Sequence, residues 1–523
     1  MNTKRLHVRV FLRRSFPTLM FVALGLLFSR PPSVHAGGVF VVNSPLDNIM
    51  SDSVLTLRKA MYVANAWTGP FTAAEQVQLG GCTFDGTGRI NGGCGRWFYD
   101  NITFAPSVTQ IVLTLDDMLP VLIDAGTWIN GNAGVPRIDG CAGSTCYNAF
   151  QIDGDNITIS NLSIVNGQSG FADILVASSA KGARIAYNYL GTLPGATTCS
   201  PSGVTRNSSY GVGVSSTASG GIGTNGVAYI YGNVIGCHAA DGVYVAGSDY
   251  VFVGVQPDGV TADGNWIGVN KTTNPLPNGN NGVNLFVGFG SPASYNLIAN
   301  NVIAGNLWSG VYLDRSGHNT LRGNKIGVNA SAMSAIPNSF DGVKISGSGA
   351  SHNTIGDTTV GGRNIIAGNG QCGVHIVNGA SDNTVDSNLI GLNSAGVARP
   401  NGTAGVAIEG NANNNLIGTG GGIQEIAKNA REGVYIANST GTRVGPANSI
   451  YENGLAGVAI VGNGAIGNAL VPYRVYGNGG LPIDLGGDGA TPNGSRTPPG
   501  PNNWINYPVS TSASGSLISS SFA

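Results

Sequence analysis

Charge is scarce in this chain: Asp, Glu, Lys and Arg make up 10% of its 523 residues, while hydrophobic residues make up 42%. Disordered chains are rich in charge and poor in Val and Ile, so disorder is excluded as the general state. A long apolar run is lacking too, except near the start. There Lys4, Arg5, Arg9, Arg13 and Arg14 precede an apolar stretch from Leu19 to Phe28, and Ser33-Val34-His35-Ala36 offers a small-residue cleavage site. That stretch is short for a span, which needs about 20 residues, so residues 1–36 are expected to be a signal peptide. Its removal takes away six basic residues and no acidic ones, which leaves 20 basic against 27 acidic side chains and a net charge of −7. A basic surplus is therefore absent, which speaks against nucleic acid and anionic membrane surfaces as partners. Cysteine is limited to seven residues with no Cys-x-x-Cys spacing, and no paired histidines accompany them, so a zinc site is not expected.

Glycine is abundant instead, with 82 residues, but it follows no three-residue period, which rules out a collagen-like helix. What recurs is Gly-Val-x-Ile/Leu. It stands at Gly310-Val311-Tyr312-Leu313, Gly342-Val343-Lys344-Ile345, Gly373-Val374-His375-Ile376, Gly405-Val406-Ala407-Ile408, Gly433-Val434-Tyr435-Ile436 and Gly457-Val458-Ala459-Ile460. The intervals are 32, 31, 32, 28 and 24 residues. Short alternating strands with glycine corners at such a period predict a stacked solenoid. Two further strands complete each coil. One follows Asn-Thr, as in Asn319-Thr320-Leu321 and Asn353-Thr354-Ile355; the other reads Asn-x-Ile, as in Asn324-Lys325-Ile326 and Asn364-Ile365-Ile366. Asparagine before each strand adopts turn conformations and, stacked coil on coil, forms ladders.

Long and short returns alternate. Loops containing Pro277-Asn278, Pro337-Asn338 and Pro400-Asn401 follow every second coil, while Ile303-Ala304-Gly305-Asn306 and Ile366-Ala367-Gly368-Asn369 return directly. The repeating unit is thus two coils, with the long loops stacked along one edge. Residues 37–147 differ in character. Thr56 reads as an N-cap and Leu57 to Ala66 as an amphipathic helix that covers the first coil's open edge. The expected organisation is a signal peptide over 1–36, a cap with first coils over 37–147, regular coils from about Asn148 over 148–480, and a closing cap and tail over 481–523.

This pattern resembles secreted bacterial right-handed parallel β-helix repeat proteins with an N-terminal CSLREA-type domain. The matching element is Leu55-Thr56-Leu57-Arg58-Lys59-Ala60 followed by Ala64-Asn65-Ala66, with Leu55 standing for Cys and Lys59 for Glu. The stretch from Ile483 through Gly500-Pro501-Asn502-Asn503-Trp504 to Val509 is similar to the closing motif of such helices. The resemblance implies an all-β, right-handed parallel β-helix with a small helical cap, exported to the cell surface, the medium or the periplasm. It implies no single activity. In the related β-helix pectate lyases, substrate lies along the first-strand face beside the preceding loops.

In Gly-Val-x-Ile the Val and Ile point inward, while x and the residue after Ile point outward. The x column then contains Tyr244, Asn284, Tyr312, Lys344, His375 and Tyr435, and the next outward column contains Asp314 and Glu409. Tyr312, Lys344 and His375 are expected to form a contiguous strip, with the loops around Pro337 and Pro400 flanking it. Glycan binding is the leading expectation, with Asp314, Glu409, Tyr435, Asn284 and Tyr244 as contacts, because sugars pair apolar faces with amide-like hydrogen bonding. A polysaccharide lyase or related enzyme is the alternative, with Lys344 or His375 as base and Tyr312 as acid. A structural or adhesive envelope protein comes third. Asp484 and Asp488 are the candidates for a calcium ion. Cys82 with Cys94, Cys141 with Cys146 and Cys199 with Cys237 are candidate disulfides, as an oxidising compartment allows. Cys372 is left over as a small buried residue.

Overall fold

The computed structural model describes residues 36–522 apart from 51–52, 96–97, 115–118, 141–146, 178, 201–203, 205–206, 216–226, 289, 360, 472–473, 493, 495–497, 506–507 and 515–516. The signal segment and the Cys141/Cys146 pair thus lie outside the described residues. Valine and isoleucine at alternate positions, cut short by Asn and Gly, make strands of two to four residues that cannot bury a face alone. They do so by stacking. One coil runs Val311–Asp314, Thr320–Arg322 and Lys325–Ile326; the next runs Val343–Ser346, Thr354–Ile355 and Ile365–Ile366. Each strand pairs parallel and in register with its successor: Val311 with Val343, Leu321 with Ile355, Ile326 with Ile366. Among the described residues the coils build three long sheets of 15, 13 and 12 strands, the last formed by the Gly-Val-x-Ile strands. The fold is a right-handed parallel β-helix. Its interior is one continuous column of Val, Ile and Leu, including Val343, Ile345, Val374 and Ile376 at 0% exposure.

The stack begins earlier than Asn148. Ala36–Val42, Tyr99–Phe104 and Trp128–Asn130 already belong to the 15-stranded sheet, so the cap and first coils are one body. The helix Leu57–Ala64 is capped by Thr56, whose side chain accepts from the Lys59 N–H. It packs on the strands Ala36–Val42 and Tyr99–Phe104. It buries more than an apolar face, since Arg58 and Lys59 are both inside, where Arg58 Nε meets Asp47 Oδ1 at 2.7 Å and Lys59 Nζ meets Glu75 Oε1 at 2.6 Å. Glu75 lies in the first turn of a second short helix, Ala73–Gln78.

Asparagine ladders run along all three corners, one more than the two pre-strand sets expected. The first corner carries Asn319, Asn353 and Asn383, each backbone N–H donating to the side-chain oxygen of the next. The second carries Asn265, Asn301 and Asn324 in the same way. The third joins Asn278, Asn306, Asn338, Asn369 and Asn401. Here the Pro-Asn of the long coils and the Gly-Asn of the short coils alternate as rungs of one ladder.

The long loops fold back as hairpins, with antiparallel bridges Val269–Pro275, Val328–Ala335 and Leu392–Ala398. They touch along one edge, where Ser394 N–H donates to Ala332 O and Arg399 Nε to Met333 O. Their location departs from expectation. Ile336 packs on Val302 and Ala304, Val328 and Ala332 on Ala367, and Leu392 on Leu389 and Ala427. These partners belong to the outer face and end of the third-strand sheet. Apolar residues there draw the loops over that sheet instead of beside the Gly-Val-x-Ile face.

Candidate functional site

Residues of the x column face outward from consecutive strands in register: Tyr244 with Asn284, Asn284 with Tyr312, Tyr312 with Lys344, and Lys344 with His375. All are half-buried, because the neighbouring coils crowd them from both sides. The strip divides into two parts. At its N-terminal end Tyr244 stacks on Tyr210 with centroids 4.6 Å apart and lies 6.2 Å from the Phe286 ring. Asn284 donates to Asp241 Oδ2 at 3.1 Å. Farther along, Lys344 Nζ lies 5.9 Å from the Tyr312 ring centroid. Burial raises the Tyr312 phenol above its ordinary value, so it keeps its proton at neutral pH.

Around His375 the polar side chains converge. Its Nδ1 lies 3.2 Å from Asp341 Oδ2 and its Nε2 lies 3.4 Å from Glu409 Oε2. The second contact is an ion pair without hydrogen-bond alignment, and Nε2 has no hydrogen-bond partner. Burial alone would depress this imidazole; Asp341 and Glu409 outweigh it and lift His375 to about 9. The imidazolium in turn holds Glu409 below its ordinary range. Asp341 and Glu409 thus keep the proton on His375 at neutral pH.

Asp341 arrives from the turn just before Val343–Ser346, one coil earlier than His375. Its Oδ1 accepts from the Cys372 N–H at 3.0 Å, which leaves Oδ2 for the imidazole. Asp241 does the same three coils earlier, accepting from the Asn281 N–H and from Asn284. Cys372 lies beside this pair, with Sγ 3.0 Å from Thr403 Oγ1. It is buried, as expected of a small residue, but its neighbours are polar. Burial first, then the Asp341 charge, pushes the thiol up to about 12. Asp341, Cys372 and His375 place one ligand-type atom each within 4.8 Å of one another.

Other expected residues fall elsewhere. Asp314 pairs with Arg315 at 3.1 Å and faces Ser346 in register, away from His375. Tyr435 packs against Cys372, Ala404 and Ala407 and closes one side of the cluster. Asp484 accepts from the Gly487 and Gly489 N–H groups and so belongs to the terminal turn, while Asp488 is exposed. Cys82–Cys94 and Cys199–Cys237 are disulfides. Among the described residues no helix is long and apolar enough to cross a membrane.

Sequence reasoning missed Asp341, Thr403 and the company of Cys372. They sit one or two residues before the repeat glycine, a column that alignment on Gly-Val-x-Ile would have displayed. That turn also carries Trp308 and Phe340, 53% and 41% exposed, with ring centroids 5.8 Å apart.

No protein-family model and no curated protein matches the chain. Among solved structures it is similar to the A-module of the mannuronan C-5 epimerase AlgE4 of Azotobacter vinelandii, with 14% identity over 75% of this chain and 90% of that one and a TM-score of 0.43. It is also similar to a mutant of the periplasmic alginate epimerase AlgG, with 14% identity over 74% of this chain and 77% of that one and a TM-score of 0.35. DFA-IIIase from Arthrobacter chlorophenolicus A6 without its lid gives 10% identity over 67% and 70% and a TM-score of 0.30. At these identities the likeness concerns the fold alone, the right-handed parallel β-helix that the strand topology already gives.

Proposed function

We propose that the chain is a secreted or cell-surface protein that lays an extended polysaccharide along its Gly-Val-x-Ile face. The observation that carries this reading is the in-register row Tyr244, Asn284, Tyr312, Lys344 and His375, one residue per coil and half-buried, beside the exposed Trp308 and Phe340. Strands about 4.8 Å apart make such a row a long, regular template. Aromatic rings accept the apolar faces of sugars, and amide, ammonium and phenol groups serve their hydroxyls. Two disulfides fit export to an oxidising compartment.

A lyase reading keeps one specific support: His375 and Tyr312 both hold protons at neutral pH, so both are suited to donate one to a leaving oxygen. Lys344 would then remain to abstract the proton next to a uronate carboxyl.

The test is a panel of neutral and acidic polysaccharides, with retention and product formation followed together on the mature protein. Retention that falls tenfold or more in Trp308→Ala/Phe340→Ala, about 1.4 kcal/mol, is the expected result. Unsaturated products that disappear in Lys344→Ala would establish the lyase instead. Neither retention nor products from any polysaccharide sinks both.

A further inference from the structure

We infer that Asp341, Cys372 and His375 form a binding site for a divalent transition-metal ion of the zinc type. This goes beyond the glycan reading and does not depend on it.

The three side chains come from two consecutive coils. Cys372 and His375 share one segment, Cys372-Gly373-Val374-His375, in which the turn residue and the outward strand residue fall on the same side. Asp341 reaches them from the coil below. In tetrahedral zinc sites the metal–nitrogen and metal–oxygen bonds are about 2.0–2.1 Å, which sets an N–O edge of about 3.3 Å. His375 Nδ1 and Asp341 Oδ2 are 3.2 Å apart, so that edge is already in place. The sulfur is at most 4.8 Å from either atom, against about 3.6 Å in such a site, so metal binding would have to draw it inward.

The surroundings are those a metal site needs. Asp341 Oδ1 is tied to the Cys372 N–H, so only Oδ2 is offered. Glu409 stands 3.4 Å from His375 Nε2, near enough that a small shift would let it accept the proton of an imidazole bound through Nδ1. Thr403 Oγ1 lies 3.0 Å from Cys372 Sγ and can donate to a thiolate. Two carboxylates around one imidazole give the cluster a surplus of negative charge that suits a cation. Sulfur and nitrogen ligands select zinc or its neighbours over calcium or magnesium. Asp341 and Cys372 are nearly enclosed, while His375 is 17% exposed on the outer sheet face. A fourth position is thereby open to water or to a hydroxyl of a bound molecule, the arrangement of a reactive site and not of a closed structural one.

The absence of Cys-x-x-Cys and of paired histidines argued against zinc in the linear sequence. Those spacings concern neighbours in sequence only, whereas the third ligand of the inferred site is 31 residues from the cysteine.

The experiment is a cobalt titration of the full mature chain, disulfides intact, after chelator treatment. The expected result is one equivalent of Co²⁺ bound with thiolate-to-cobalt charge-transfer absorption, displaced by Zn²⁺. Cys372→Ser should abolish the charge-transfer band, and His375→Gln should weaken binding at least tenfold. Lys181→Ala, at an exposed position with no part in either site, should leave both unchanged. Should the variants fold poorly, X-ray absorption of the zinc-loaded wild type must show one sulfur neighbour. No binding, a band that survives Cys372→Ser, or a zinc shell without sulfur overturns the inference. Glycan retention with and without metal, measured in parallel, keeps this outcome separate from that of the polysaccharide reading.

Discussion

His238 stands where an asparagine stands in every later coil of its corner. Its Nδ1 lies 2.9 Å from Asn278 Oδ1, while Asn278 passes its own amide hydrogens on to Asn306. Its Nε2 lies 2.9 Å from Asp173 Oδ2, and Ser208 donates to the other carboxylate oxygen at 2.6 Å. All of these groups are buried. The histidine therefore closes the ladder and gives a buried aspartate a partner. Breaking such a buried pair from one side costs about 3–5 kcal/mol, because the remaining charge is left without compensation. His238→Ala should lower the denaturation free energy by that order, and Asp173→Asn with His238→Asn should recover most of it. Equal losses in the single and double variants would show that the pair is not what matters. The asparagine rungs themselves were readable from sequence at two corners, since Asn before a short apolar strand has few other uses. The third was hidden by having two different neighbours, Pro and Gly.

At the scale of the strand, the repeat glycine is required by stacking. A Cβ on Gly342 would lie 2.7 Å from the Gly373 carbonyl oxygen and 2.6 Å from Ile366 Cγ2; Gly310 and Gly373 meet their successors alike. Backbone from one coil simply occupies the space a side chain would need. Gly342→Ala should thus destabilise the middle coils by 1–3 kcal/mol, about the cost of overpacking, readable as a lower thermal midpoint. Gly396→Ala, where a Cβ would meet nothing but φ is +74°, should cost less, near 1 kcal/mol of backbone strain. Comparable losses at both would contradict the stacking argument. The strands, their alternation and the two-coil unit were legible in the residues. The side to which the long loops fold was not, because it follows from which outer residues of a neighbouring strand happen to be apolar: Val302, Ile365 and Leu389.

For the whole molecule, a solenoid is held by its neighbours and is weakest where neighbours end. The N-terminal end is closed by the helix with its two buried ion pairs. The C-terminal end is closed by Asn502, whose side-chain oxygen accepts from the Asn468 N–H at 2.9 Å and so extends the ladder by one rung. Within the N-terminal body Asp100 is buried and accepts from the Gly38 and Gly95 N–H groups. Burial raises it from 3.8 to about 7, against those hydrogen bonds. A group whose folded value is raised contributes stability below its unfolded value and loses it as pH climbs through the folded one. With about 1.4 kcal/mol per pKa unit, the loss between about pH 4 and pH 7 amounts to several kcal/mol before relaxation. Asp100→Asn should flatten that part of the pH–stability curve, and amide exchange should locate the loosening in the first coils. A slope that is the same in the variant would rule this residue out as its source.

The amino-acid sequence by itself determined the coil, its three strands, its inward and outward faces and most of its corners. Each is encoded within a few neighbouring residues by alternation, asparagine and glycine. The tertiary structure alone decided what meets across coils: Asp341 with the histidine 34 residues later, Glu409 on that ring's other nitrogen, and Cys372 enclosed beside both. Those contacts depend on stacking offset and on burial, and the two carboxylates they bring to His375 keep its proton in place against burial. Neither quantity is a property of any short stretch of chain.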